Sequence, residues 1–320
     1  MNGTPNDGFV RRTRDYVGVM RPDHWFKNVF MLPGVVIGLV LTHTSPALVW
    51  WRLLVGVAST CLVASANYVI NEWLDAESDR FHPVKRHRPS VSGRLKARWI
   101  YSEYAVLALA GLGMAATISV PFLVTSAILL VMGVLYNVRP FRTKDRPYVD
   151  VLSESINNPI RLLLGWFIVT DRYLLPSGLI IGYWMGGAYL MGLKRFAELR
   201  FLGTREAAAL YRRSFRSYTE ENLLISSFFY GMCSALFIGT FLVKYRIEWL
   251  LMLPLLGVLF AWYMKISMKP DSPAQMPERL YKERAFFGFV LFFAAVCTVL
   301  LFVDIPELHV LLSNSLLPVP

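Results

Sequence analysis

Asn67-Tyr68-Val69-Ile70-Asn71-Glu72-Trp73-Leu74-Asp75-Ala76-Glu77-Ser78-Asp79 closes the second long apolar run of this 320-residue chain. Asn67, Asn71, Asp75 and Asp79 recur every fourth residue. On a helix a step of four overshoots one full turn by only about 40°, so the four side chains are expected along one face. Amides and carboxylates gathered at the mouth of a membrane span are costly unless something compensates them. Oxygen-only ligands suit a hard cation, above all Mg2+, which keeps waters and is usually shared with phosphate oxygens. A polar helix end emerging into water is the alternative. It accounts for Asp79 and partly for Asp75, but poorly for Asn67 and Asn71.

Arg80-Phe81-His82-Pro83-Val84-Lys85-Arg86-His87-Arg88-Pro89 follows directly. An acidic helix end joined to a basic turn is what a metal-bound phosphorylated ligand requires, because Lys and Arg neutralise the charge that the metal leaves over. The plain alternative is an ordinary cytoplasmic loop. His82 and His87 read as loop residues rather than metal ligands.

The rest of the chain sets this segment in lipid. Hydrophobic residues make up 55% and charged ones 17%, against roughly 45–50% and about 25% in soluble chains. Mean hydropathy is +0.44. Lys and Arg number 33 against 22 Asp and Glu, a net charge of +11, and these bases sit between apolar runs. Cys61, Cys233 and Cys297 all lie inside apolar segments and form no CxxC pair, so neither a disulfide framework nor a zinc site is expected. A secreted, disordered or nucleic-acid-binding protein is excluded.

A membrane-crossing helix needs about 20 mainly apolar residues. Nine candidates are expected near 29–47, 50–70, 100–118, 120–137, 149–169, 174–193, 222–243, 247–266 and 285–303. Residues 1–27 contain no apolar core, only Arg11, Arg12, Arg14, Arg21 and Lys27 among polar neighbours, so no cleaved signal peptide is expected. Bases concentrate in 1–27, 71–99, 138–148, 194–221 and 265–284, which together hold 28 of the 33. That alternation predicts a cytoplasmic N-terminus and an external C-terminus, in a multi-pass protein of the cell (inner) membrane. No linker or repeat divides the chain. The expectation is one all-α membrane domain over 1–320, with a cytoplasmic arm at 1–27 and cytoplasmic catalytic loops at 71–99 and 194–221.

The fifth candidate opens Asp150-Val151-Leu152-Ser153-Glu154-Ser155-Ile156-Asn157-Asn158-Pro159-Ile160-Arg161. Arg161 lies some 12 residues in, about 18 Å along a helix. An arginine at that depth costs about 2.5–3.5 kcal/mol on insertion scales unless it finds a partner or a wet cavity. Two readings stand: an ion pair with Glu154 or another acid, or Asn158 and Arg161 facing a cavity where Arg161 holds a phosphate. Pro159 is expected to kink this helix, since it cannot donate a backbone hydrogen bond.

Asn71-Glu72-x-x-Asp75-x-x-x-Asp79 resembles the first Asp-rich motif of the UbiA superfamily of intramembrane prenyltransferases, usually NDxxDxxxD. Glu72 departs from it by one methylene. The resemblance implies nine helices around a central cavity and a diphosphate bound through Mg2+. It implies metal ligation by Asp75 and Asp79, with Asn71 completing the catalytic set. Where ordinary members carry a second, DxxxD-like motif, this chain reads Lys194-Arg195-Phe196-Ala197-Glu198. A second carboxylate-held magnesium is hard to build there, whereas a site for an extra phosphate is easy. That segment, Met20-Arg21-Pro22-x-x-Trp25-x-Lys27-Asn28, the 82–89 turn and Arg212-Arg213-Ser214-x-x-x-Tyr218-Thr219 together resemble the decaprenyl-phosphate phosphoribosyltransferase branch. The resemblance runs from about residue 18 to residue 290.

In that branch the donor is 5-phosphoribosyl 1-diphosphate and the acceptor a polyprenyl phosphate. Lys27, Asn28, Asn67, Glu72, Lys85, Arg86, Arg88, Asn158, Arg161, Lys194, Arg195 and Glu198 are the substrate-binding candidates, and Tyr136, Arg139 and Lys144 are expected to close over the donor. The alternatives are a UbiA-type enzyme alkylating an aromatic acceptor with a polyprenyl diphosphate, and an anion transporter. The latter would carry paired half-helices in two repeats, for which there is no sign. Membrane lipids are the only other partners implied, and self-association is left open.

Overall fold

The computed structural model describes residues 13–311. Arg11 and Arg12 of the expected arm lie outside them. Among the described residues all regular elements are helical, as the apolar runs require. Among the described residues six helices are long and apolar enough to cross a membrane: α1 Thr13–Leu41, α2 Trp50–Asp79, α3 Ala97–Ala116, α4 Val120–Asn137, α9 Glu220–Tyr245, and α10 with its lead-in turn, Ile247–Ser267.

The other three expected spans take different forms. Residues 149–169 split into α5 (Val149–Ser155) and α6 (Asn157–Val169). The break falls three residues before Pro159, whose missing N–H cannot serve the preceding turn. α7 runs from Ser177 to Leu202, ending in the charged 194–200 segment, and α11 is a shorter apolar helix, Arg284–Val299. Between them, α8 (Arg205–Tyr211) follows α7. The arm expected at 1–27 is helical from Thr13, interrupted at Arg21, which is left-handed at φ 53°.

The chain forms two compact units. Among the described residues, one holds 13–175 together with Leu202–Glu220 and the other holds Pro176–Phe201 and 221–311. In the first unit α2 packs along α3, and α1 packs on α6. The α1–α6 contact is backbone on backbone. A Cβ at Gly34 would lie 2.0 Å from the Leu162 carbonyl oxygen, and one at Gly165 would lie 1.9 Å from that of Met31. Only glycine fits at either position. In the second unit Ser234 Oγ donates to the Gly182 carbonyl at 2.9 Å, and Tyr189 stacks on Phe260 at 4.4 Å between ring centroids. Many large apolar side chains, including Leu109, Val106, Phe228 and Leu236, remain exposed, as lipid-facing residues do.

Candidate active site

The acidic end of α2 does not present a single face. The 40° drift per step of four accumulates to about 120° between Asn67 and Asp79, and the four residues meet three environments. Asn67 turns onto α4: its Nδ2 donates to the Leu129 carbonyl at 2.9 Å, and it fills the space beside Gly133. Asn71 and Asp75 converge on one cation. Lys144 Nζ donates to Asn71 Oδ1 at 3.2 Å, to Asn137 Oδ1 at 2.7 Å and to Asp75 Oδ1. Arg142 Nη2 reaches the same Asp75 oxygen at 3.1 Å. Asp79 turns towards the basic turn, where Arg88 Nη1 donates to its Oδ2 at 2.7 Å.

Glu72 is on that side too. Its Oε2 lies 3.8 Å from Arg88 Nε, and Ser90 Oγ donates to Oε1 at 3.4 Å. Burial opposes the charge on Arg88, but Asp79 and Glu72 outweigh it and hold the guanidinium above its ordinary pKa. Burial acts the other way on Lys144. Desolvation, aided by Arg142 and only partly offset by Asp75, pushes the ammonium down to about 8.

The turn itself is built by His82, whose Nδ1 accepts from the amides of Val84 and Lys85 at 3.2 and 3.3 Å. Lys85 donates to the Tyr211 hydroxyl and lies 4.6 Å from the centre of that ring. Arg86 points outward, its Nε donating to His87 at 3.2 Å, and Arg139 is also exposed. Neither joins the cluster.

A second buried network lies behind Lys144. Asp150 is fully buried and accepts from Tyr218 OH at 2.5 Å and Ser214 Oγ at 3.2 Å. Tyr218 OH in turn accepts from the Tyr148 amide at 2.6 Å. Arg212 Nη1 donates to Tyr136 OH at 3.0 Å and stands 3.9 Å from Asp150 Oδ2, while Tyr136 donates to Glu154 at 2.6 Å. Arg142 and Tyr148, which bracket Lys144, both have positive φ, 30° and 63°. Backbone strain of this kind collects where side chains must be held in place.

On the α1 side, Arg161 Nε donates to Asn28 Oδ1 at 3.0 Å and its Nη1 to the Asn157 carbonyl at 3.2 Å. The ion pair with Glu154 does not form. Lys27 Nζ lies 3.1 Å from His24 Nδ1 and 5.8 Å from the Tyr68 ring centre. Asn158 is half-buried on α6.

Lys194, Arg195 and Glu198 belong to the second unit. Arg195 is fully buried and donates to Glu198 at 2.8 Å. The sequence reading omitted Arg142, Asn137, Asp150 and Arg212 from the site. Arg142 was visible only as one of four bases between 138 and 148, and Arg212 only as part of a motif.

The donor chemistry fits a hard cation. Three side-chain oxygens, from Asn71, Asp75 and Asn137, already surround one positive charge. Among the described residues no three His, Cys, Asp or Glu side chains gather, so a metal here would draw its remaining ligands from water and substrate oxygens, as magnesium commonly does.

The profile of the UbiA prenyltransferase family matches residues 31–290, and the chain belongs to that family. It is 30% identical over 212 residues to the decaprenyl-phosphate phosphoribosyltransferase of Mycolicibacterium smegmatis, covering 65% of this chain and 63% of that one. The chain thus spans just under two thirds of that relative. Its likeness to the Mycobacterium tuberculosis protein of the same name is 30% over 217 residues, 65% and 67% of the two chains. Among solved structures, a UbiA homolog from Archaeoglobus fulgidus bound to GPP and Mg2+ superposes with TM-score 0.67 at 20% identity, covering 90% of this chain and all of that one.

Proposed function

We propose that this membrane transferase moves the 5-phosphoribosyl group of 5-phosphoribosyl 1-diphosphate onto a polyprenyl phosphate, releasing diphosphate. The observation that carries the reading is the end of α7. Where a prenyl-diphosphate enzyme needs a second pair of carboxylates, Lys194 stands in place of one, and Glu198 is already bound by Arg195. The names of the curated relatives support the same donor and acceptor.

Asp75, with Asn71, would hold Mg2+, joined by Asp79 once it is released from Arg88, and the ion would neutralise the departing diphosphate. The protein's own part is charge and position. Lys144 and Arg142, now bonded to Asp75, are free to turn to diphosphate oxygens once that carboxylate has another cation. Arg212, fixed by Tyr136, adds a third positive charge. The bond from ribose C1 to diphosphate oxygen breaks, and an oxygen of the lipid phosphate bonds to C1 from the opposite face. That phosphate is ionised at neutral pH, so no general base is required. Catalysis is then orientation and electrostatic stabilisation. The distribution of bases supports a cytoplasmic side for this chemistry.

Purified protein supplied with radiolabelled phosphoribosyl diphosphate, decaprenyl phosphate and Mg2+ should form a labelled lipid, and EDTA should stop it. Product only from a prenyl diphosphate with an aromatic acid would replace this reading with the alkylating one.

A further inference from the structure

Among the described residues Arg161 is a buried base with no acid paired to it. Arg88 meets Asp79, Arg142 meets Asp75, Arg195 meets Glu198 and Arg246 meets Glu248. Arg161 is 8% exposed, inside an apolar helix beside the buried Ile160, Leu162 and Leu164. Both of its hydrogen-bond partners are neutral: the Asn28 side-chain oxygen and the Asn157 carbonyl. Among the described residues no carboxylate comes within ion-pairing distance of it. A guanidinium has five N–H donors, and two of these hydrogen bonds leave most of them unspent. Glu154, the nearest acid along the chain, accepts from Tyr136 instead.

The arrangement is built rather than accidental. Asn28, which holds Arg161 Nε, is itself fixed by donating to Cys61 Sγ at 3.1 Å. The Gly34 and Gly165 contacts lock α1 onto α6 within two turns of the pair, on its C-terminal side along both helices. The Asn157 Oδ1, one turn from Arg161, is buried without a partner. It is an acceptor suited to the P–OH of a singly ionised phosphate, while Arg161 is the fork that phosphate oxygens favour.

We propose that Arg161, Asn28 and Asn157 form a phosphate-monoester subsite, separate from the oxygens of Asn71 and Asp75, and that its occupant is the phosphate head of the lipid substrate. The bases around Asp75 come from loops, whereas Arg161 projects from within an apolar helix. A phosphate carrying a hydrocarbon tail reaches such a position at least cost. The occupant's identity rests on the transfer proposed above; the anion site itself does not.

The test is equilibrium binding of radiolabelled polyprenyl monophosphate to the full-length protein in detergent, competed by polyprenol or by ribose 5-phosphate. Wild type should prefer the monophosphate to polyprenol by about tenfold or more. Arg161→Gln and Asn28→Asp should each remove that preference and leave polyprenol binding unchanged. Asn28→Asp guards against a folding artefact, because it supplies an internal counter-anion. It should hold or raise the melting temperature while it blocks the phosphate. Full affinity in Asn28→Asp overturns the proposal. Competition by ribose 5-phosphate as strong as that of the lipid overturns the lipid assignment. Arg161-dependent lipid binding in a protein that makes no phosphoribosyl product leaves the subsite standing and removes the proposed reaction instead.

Discussion

The two flanks of α2 handle charge in opposite ways. Towards the 137–145 loop and the basic turn, each carboxylate has a protein cation on it: Lys144 and Arg142 on Asp75, Arg88 on Asp79 and Glu72. Towards α1, the groups that α2 presents are neutral. Cys61 accepts from Asn28, Ser65 accepts from Trp25 Nε1 at 2.9 Å, and the Tyr68 ring lies near Lys27. The cation behind them, Arg161, has only neutral partners. The first flank pairs its charges within the protein, and under the proposed function its cations would turn to the leaving group once Asp75 held a metal. The second carries a standing positive charge and works by capture.

Asp75→Asn is the strongest way to break the first flank. It removes a metal ligand and strands Lys144, so transfer should fall by about a hundredfold to a thousandfold. Breaking a buried pair from one side also destabilises, by about 3–5 kcal/mol at full burial, and the melting temperature in detergent should drop. Adding Lys144→Met should restore the melting temperature and leave transfer lost. Near-normal turnover in Asp75→Asn would mean that this flank holds no metal. Recovery of turnover along with stability in the double variant would make the pair merely structural.

That flank was only half legible in the sequence. Spacing by four is enough to bring Asn71 and Asp75 together, because one step drifts by about 40°. It fails for Asn67 and Asp79, since the drift accumulates and delivers them to α4 and to Arg88. Arg142 and Arg212 reach the cluster from loops far apart in the chain, which no local periodicity encodes. The other flank was read more fully. Arg161 stood out because an arginine deep in an apolar run demands an explanation, and Pro159 announced the break that separates α5 from α6. Apolar run length alone gave the all-helical membrane fold. Six of the nine expected runs form helices long and apolar enough to cross a membrane among the described residues; of the other three, one breaks at Ile156, one ends in the charged 194–200 segment and one is only 16 residues long.

A smaller effect should separate the flanks without touching a polar group. A methyl at Gly165 would lie 1.9 Å from the Met31 carbonyl oxygen, so Gly165→Ala must push α1 off α6. Overpacking of this kind costs about 1–3 kcal/mol. Because α1 carries Asn28 and α6 carries Arg161, the KM for the lipid phosphate should rise several-fold while the KM for the donor stays put. A variant with a lowered melting temperature and both constants unmoved would show that the two helices need not register for the lipid to bind.

The mildest variant, Tyr218→Phe, addresses the donor flank from behind. It keeps the ring that packs edge-on to Tyr148 at 5.5 Å. It deletes the hydroxyl that accepts from the Tyr148 amide and donates to Asp150. Tyr148 holds φ at 63°, a conformation that persists only while its surroundings enforce it. The bond from the amide is worth about 0.5–1.5 kcal/mol and the one to the Asp150 carboxylate about 1.5–3 kcal/mol. The loop that carries Lys144 and Arg142 should therefore loosen rather than unfold. The donor KM should rise about threefold to tenfold, the lipid KM should not change, and the melting temperature should fall measurably. Gly165→Ala and Tyr218→Phe thus predict mirror-image kinetics from two substitutions that touch neither substrate. If both variants instead raised the two KM values together, the flanks would be one site, and the division of labour across α2 would fail.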